Sequence, residues 1–109
     1  MALWTMVTSA ARTASGDSGA FTRPKAVTAF RAQLDVTAAS GTTPTLDVVV
    51  EDSLDGTNWN TVGTFTQKTT TGRQVVNLDL PVSNVLRARW TIGGTTPSFT
   101  FSVVAYVEP

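Results

Sequence analysis

At 109 residues the chain has the length of one domain, and 41% hydrophobic against 15% charged residues supplies a core and excludes intrinsic disorder. Eight Lys and Arg balance eight Asp and Glu, so no long-range field steers the protein to nucleic acid, an acidic substrate or an anionic membrane. The absence of Cys and His removes disulfides, thiolate nucleophiles, zinc–thiolate sites and the commonest general base.

The opening stretch, MALWTMVTSAA, carries no basic region before its short apolar run, and Thr5 and Thr8 interrupt that run. It reads as a strand of a soluble protein and not as an export signal. Trp4 and Met6 share one alternation face while Leu3 and Val7 share the other. A strand apolar on both faces is either sandwiched in the fold or covered by a partner. The segment SAARTASGDSGAFTRPK follows, seventeen residues rich in Ser, Thr, Ala and Gly without usable periodicity. Loops of that length are uncommon in compact domains.

Residues 26–37 alternate, with Phe30, Ala32, Leu34 and Val36 inward and Arg31, Gln33 and Asp35 outward. The tetrapeptide GTTP follows at Gly41–Pro44, after which Leu46, Val48 and Val50 point inward and Asp47 and Glu51 outward. These two runs are expected to pair across a GTTP hairpin. SLDGTNW then offers Asp55-Gly56 as a tight turn, leading to a strand with Trp59, Val62 and Phe65. Beyond the polar QKTTTG loop, Val76, Leu78 and Leu80 form another inner face, ended by Pro81.

The clearest half-buried strand sets Leu86, Ala88, Trp90 and Ile92 against Val85, Arg87, Arg89 and Thr91. A second GTTP, Gly94–Pro97, is expected to turn it into a last strand with Phe99, Phe101, Val103, Ala105 and Val107 inside. No sustained helical stripe occurs. The pattern predicts an all-β fold: an antiparallel β-sandwich or barrel of about seven to eight strands, with a jelly-roll-like path open to it. Residues 1–25 make an N-terminal strand and extended arm, and residues 26–109 the sandwich, in a single domain overall.

Chemistry-bearing constellations are few. A catalytic carboxylate pair would have to come from Asp47, Glu51, Asp52, Asp55 and Asp79, all placed on outer faces or in a turn. EDSLDGTNWNTV spaces Glu51, Ser53, Asp55 and Gly56 like part of a calcium loop, but its twelfth position is Val62, not the bidentate glutamate. IGGTTPS lacks the spacing and lysine of a phosphate loop. Trp59 and Trp90 read as core aromatics. No catalytic, metal or cofactor-binding residue is assigned, and no enzyme activity is expected.

FRAQLDVTAASGTTPTLDVVVEDSLDGTNW, together with RARWTIGGTTPSFTFSV, resembles small β-rich structural proteins of tailed bacteriophages, the virion accessory and capsid decoration proteins. The resemblance spans about two thirds of the chain, Phe30 to Val104, and implies a non-enzymatic module on the outer head surface, made in the host cytoplasm. Its partner would be the phage major capsid protein. Assembly as a homo-oligomer at symmetry positions is expected, a trimer ahead of a dimer, with no nucleic acid and no membrane. Within that expectation residues 2–25, including Trp4, Met6, Phe21, Arg23 and Lys25, would supply subunit or shell contacts. The plainer alternative is an ordinary central strand and a loop packed across one end of the sandwich. A tail or neck component and a carbohydrate-binding β-sandwich are the other readings.

Overall fold

Two very long strands govern the architecture. The computed structural model describes residues 2–22, 29–77, 83 and 85–108, which form β1 (Ala2–Arg12), β2 (Gly16–Asp17), β3 (Phe21–Thr22), β4 (Ala29–Ser53), β5 (Trp59–Thr64), β6 (Gly72–Asn77) and β7 (Val85–Glu108). Every pairing is antiparallel, and the described residues contain no helix. β4 and β7 lie side by side from Ala29 opposite Glu108 to Ser53 opposite Val85. β1, β2 and β3 follow the far side of β7, while β5 and β6 take the far side of β4.

A straight strand of 25 residues would run roughly 80 Å at about 3.3 Å per residue, yet the longest dimension of the molecule is 42 Å. The ladder therefore folds over itself. Trp90 and Phe101 show the bend: they belong to one strand, but their rings meet edge to face with centroids 5.5 Å apart. The result is a β-sandwich whose layers share two strands. The first layer holds β1, residues 99–108 of β7, residues 29–40 of β4, and β6. The second holds β2, β3, residues 85–92 of β7, residues 45–53 of β4, and β5.

The fold-over point is where the two GTTP segments lie, which corrects the hairpin expectation. Neither tetrapeptide joins adjacent strands; they sit inside β4 and β7 and face each other, with Thr42 opposite Thr95 and register shifts on both sides. An antiparallel pair of identical segments has a local two-fold axis, and the conformations obey it. Gly41 and Gly94 have φ of 114° and 110°, and Thr43 and Thr96 both have φ of 46°. Each threonine hydroxyl donates to the preceding carbonyl at 2.8 Å. A Cβ on Gly41 would meet Thr96 O at 2.8 Å, and one on Gly94 would meet Thr43 O at 2.7 Å. Each glycine is thus required by the other copy, and the repetition comes from pairing.

Residues 13–22 of the arm after β1 are held by the chain's own domain. β2 and β3 pair with β7, and between the regular pairs serine hydroxyls stand in for strand carbonyls. Ser15 Oγ accepts from Ile92 N at 2.9 Å, and Ser18 Oγ accepts from Ala88 N at 3.0 Å while Ser18 N donates to Ala88 O at 2.8 Å. The indole Nε1 of Trp90 donates to Ala14 O at 3.1 Å. At the bend, the Arg12 guanidinium packs 5.0 Å from both the Trp90 and Phe101 rings, where burial holds its pKa below the ordinary value.

The expected inner faces are buried in large part, although Val62 and Val76 are only half-buried. Phe30, Leu34, Val36, Leu46, Val48, Trp90, Phe101 and Val103 are buried, together with Met6, Val7, Val50, Phe65, Leu86 and Phe99. Ile92 is half-buried, because it stands where β7 enters the crossing. The β4–β5 connection is also longer than the tight turn expected: Ser53 pairs with Trp59, leaving a five-residue loop with Gly56 at φ 80°. Leu78 and Leu80 lie outside the described residues.

Candidate functional site

Alternation leaves each layer an outer face built from odd-numbered positions of β4. On the first layer, Arg31 lies opposite Tyr106 and Asn77, Gln33 opposite Val104 and Val75, and Asp35 opposite Ser102 and Arg73. β1 extends these rows, with Leu3 opposite Tyr106 and Thr5 opposite Val104. A shallow groove of ≈ 510 Å³ crosses this face, lined by Leu3, Arg31, Gln33, Val75, Val104 and Tyr106. Leu3 and Val75 are 75% and 43% exposed, so the groove has apolar walls open to water. Asp35 is paired with Arg73 at 3.6 Å, and Arg31 has no ion pair among the described residues.

On the second layer the polar groups are committed to one another. Glu51, only 5% exposed, accepts from Arg87 Nε at 2.8 Å and pairs with Arg89 at 3.3 Å. Arg87 also reaches Asp17 at 4.0 Å and lies over the Trp59 ring, 4.2 Å from its centroid. Trp59 is therefore not a core aromatic, as the alternation suggested, but half-buried beneath a guanidinium.

The acidic stretch considered for calcium is likewise engaged. Asp52 Oδ2 accepts from Ser83 N at 2.9 Å, and the Ser83 hydroxyl donates to Ser53 O. Asp55 closes the β4–β5 loop: Oδ1 accepts from Thr57 N at 2.8 Å and Asn58 N at 2.7 Å, and Oδ2 from Asn58 Nδ2 at 2.7 Å. The Asn58 and Thr57 backbone donors hold its carboxyl well below the ordinary carboxylate range. Among the described residues no cluster of acidic groups converges to hold a metal. The loop so fixed begins at Leu54, 87% exposed.

Of the residues expected to make partner contacts, Met6 is buried in the chain's own core. Trp4 and Phe21 are half-buried and meet edge to face with centroids 4.9 Å apart, and Trp4 also lies 6.1 Å from Phe30. Arg23 and Lys25 lie outside the described residues. The groove residues come from four strands and were not grouped by sequence reading. Their signal is faint: each is the outward member of an alternating run, but only the register brings the runs together.

No protein-family model matches the sequence, and no curated protein matches it. Among solved structures, it resembles an arginine-to-alanine mutant of a family 29 carbohydrate-binding module, with a TM-score of 0.51 and 7% sequence identity over 97% of this chain and 91% of that one. At that identity the likeness is one of fold.

Proposed function

We propose that the protein is a non-enzymatic virion structural protein of a tailed bacteriophage, a decoration protein that binds the major capsid protein on the outer head surface and reinforces the shell. The observation that carries the reading is Leu54, a large apolar side chain 87% exposed on a turn that Asp55 fixes through three hydrogen bonds from Thr57 and Asn58. An apolar residue presented on a pre-ordered turn docks without the cost of ordering a loop. The sequence resemblance from Phe30 to Val104 supports the same reading, and the mutual pairing of Glu51, Arg87 and Arg89 suits a scaffold better than a catalyst.

The test is binding to undecorated heads, followed by counting copies per particle. Hundreds of copies, with binding lost in Leu54→Asp, are expected for a decoration protein that assembles at symmetry positions as a trimer. A few to a few dozen copies would move the protein to the tail or neck. Absence from purified particles together with failure to bind heads would overturn the virion reading.

A carbohydrate-binding sandwich is the second reading, favoured by the fold likeness to a carbohydrate-binding module and by the groove of the first layer, where an aromatic ring stands beside planar polar side chains.

A further inference from the structure

We infer that the outer face of the first layer binds an anionic oligosaccharide, its carboxylate held by Arg31 and its sugar rings lying along Tyr106, Val104 and Val75. The inference rests on the carbohydrate-binding reading and gives it a place and a ligand class.

Charge comes first. Asp35 and Arg73 neutralise each other at 3.6 Å, whereas Arg31 has no ion pair among the described residues and is the one charged side chain among those that line the groove, beside Leu3, Gln33, Val75, Val104 and Tyr106. A guanidinium offers paired N–H donors in one plane, the geometry a carboxylate accepts in bidentate fashion. Row geometry then places the rest of the ligand. Arg31 is directly opposite Tyr106, and Gln33 is directly opposite both Val104 and Val75, so one row supplies charge and an aromatic ring and the next an amide between two aliphatic walls. A sugar ring needs both kinds of surface: apolar contact for its C–H face, and groups that donate and accept for its hydroxyls. The Gln33 amide does both.

Shape and hydrogen bonding separate this occupant from others. Two copies of a concave face would enclose a void in place of a dry interface, so a second copy of this chain fits poorly. An extended peptide lying here would leave its own N–H and C=O groups without strand partners, because those of β4 are already paired with β6 on one side and β7 on the other. A glycan has no backbone amides to satisfy.

The experiment is a titration of the full chain followed by amide chemical shifts and calorimetry. The probes are trigalacturonate, its carboxyl-reduced neutral counterpart, a neutral cello-oligosaccharide and a short polyglutamate peptide. Binding of trigalacturonate is expected to shift the amides of residues 31, 33, 104 and 106 and to weaken with salt. Arg31→Gln should weaken it about tenfold, the scale of one charge-assisted hydrogen bond, and Tyr106→Ala should also weaken it. Trp59→Ala should leave it unchanged, and unaltered thermal midpoints would show that each variant folds.

Equal binding of the acidic and reduced sugars, indifferent to Arg31→Gln, would overturn the proposal while sparing the carbohydrate reading. So would binding lost in Trp59→Ala and kept in Arg31→Gln. Polyglutamate binding as tightly as trigalacturonate would show a carboxylate site with no preference for sugar, and would overturn it. If no sugar binds, both the proposal and the carbohydrate reading fall.

Discussion

Gly41→Ala and Gly94→Ala probe the paired GTTP crossing directly. A Cβ on Gly41 would lie 2.8 Å from Thr96 O, 2.9 Å from Pro97 Cα and 3.0 Å from Thr95 O. One on Gly94 would lie 2.7 Å from Thr43 O, 2.9 Å from Pro44 Cα and 3.1 Å from Thr42 O. The obstacles are backbone atoms of a paired strand and cannot turn aside. Forcing an L-residue into such φ costs about 1–3 kcal/mol, and overfilling a packed site adds about 1–3 kcal/mol. Each variant should therefore lose roughly 2–6 kcal/mol, and because the surroundings match, the two losses should agree within about 1 kcal/mol. The double variant should cost less than the sum, since the first substitution already opens the contact that the second would clash with. Two controls isolate the terms. Gly56 has φ 80° and a methyl group there would meet nothing within 4 Å, so Gly56→Ala reports backbone strain alone; Gly72 has open space and no positive φ, so Gly72→Ala should stay within about 1 kcal/mol of the parent. Guanidinium unfolding followed by circular dichroism and tryptophan fluorescence measures all five variants. Gly41→Ala no worse than Gly72→Ala, or clearly unequal losses at Gly41 and Gly94, would refute the paired crossing.

Leu34→Ala and Phe101→Ala should cost about 2–5 kcal/mol in the same assay, because both side chains are fully buried and their cavities collapse only in part, while Arg31→Ala and Gln33→Ala should stay within about 0.5 kcal/mol. Ser18→Ala should cost roughly 1–3 kcal/mol, since it leaves the Ala88 N–H without its acceptor. Asp55 has a folded pKa below its ordinary 3.8, so its contribution to the loop is present above that value and is lost only as pH falls through the lower, folded pKa. Carboxyl chemical shifts should accordingly show Asp55 still ionised at pH values where exposed carboxylates have titrated, and a midpoint at the ordinary value would contradict the closed loop.

The long strands and most of their faces were legible in the sequence because period-two alternation is a local property: Leu34, Val48 and Phe101 are buried as their spacing required. Connectivity was not. Gly and Pro mark a hairpin and a mid-strand crossing with the same residues, and the choice depends on which distant segment lies opposite; here that segment is a second copy of the same tetrapeptide. The arm looked structureless because its pairing uses the hydroxyls of Ser15 and Ser18 as acceptors, which imposes no apolar periodicity. The groove escaped notice for a related reason: Leu3, Arg31, Val75 and Tyr106 sit on four strands far apart in the chain, and only the register assembles them.

The shared strands also bear on how the chain folds. The β4–β7 ladder has Ser53 opposite Val85 at its nearer end and Ala29 opposite Glu108 at its farther one, so every added pair closes a larger loop. Pairing that starts at the Ser53 end forms the second layer first and must then pass through the glycine crossing before the first layer can close. Such non-local topology places folding in the range of milliseconds to seconds. Glycine substitutions at the crossing would then slow closure of the first layer, giving its amides lower protection against hydrogen exchange than those between Leu46 and Asp52.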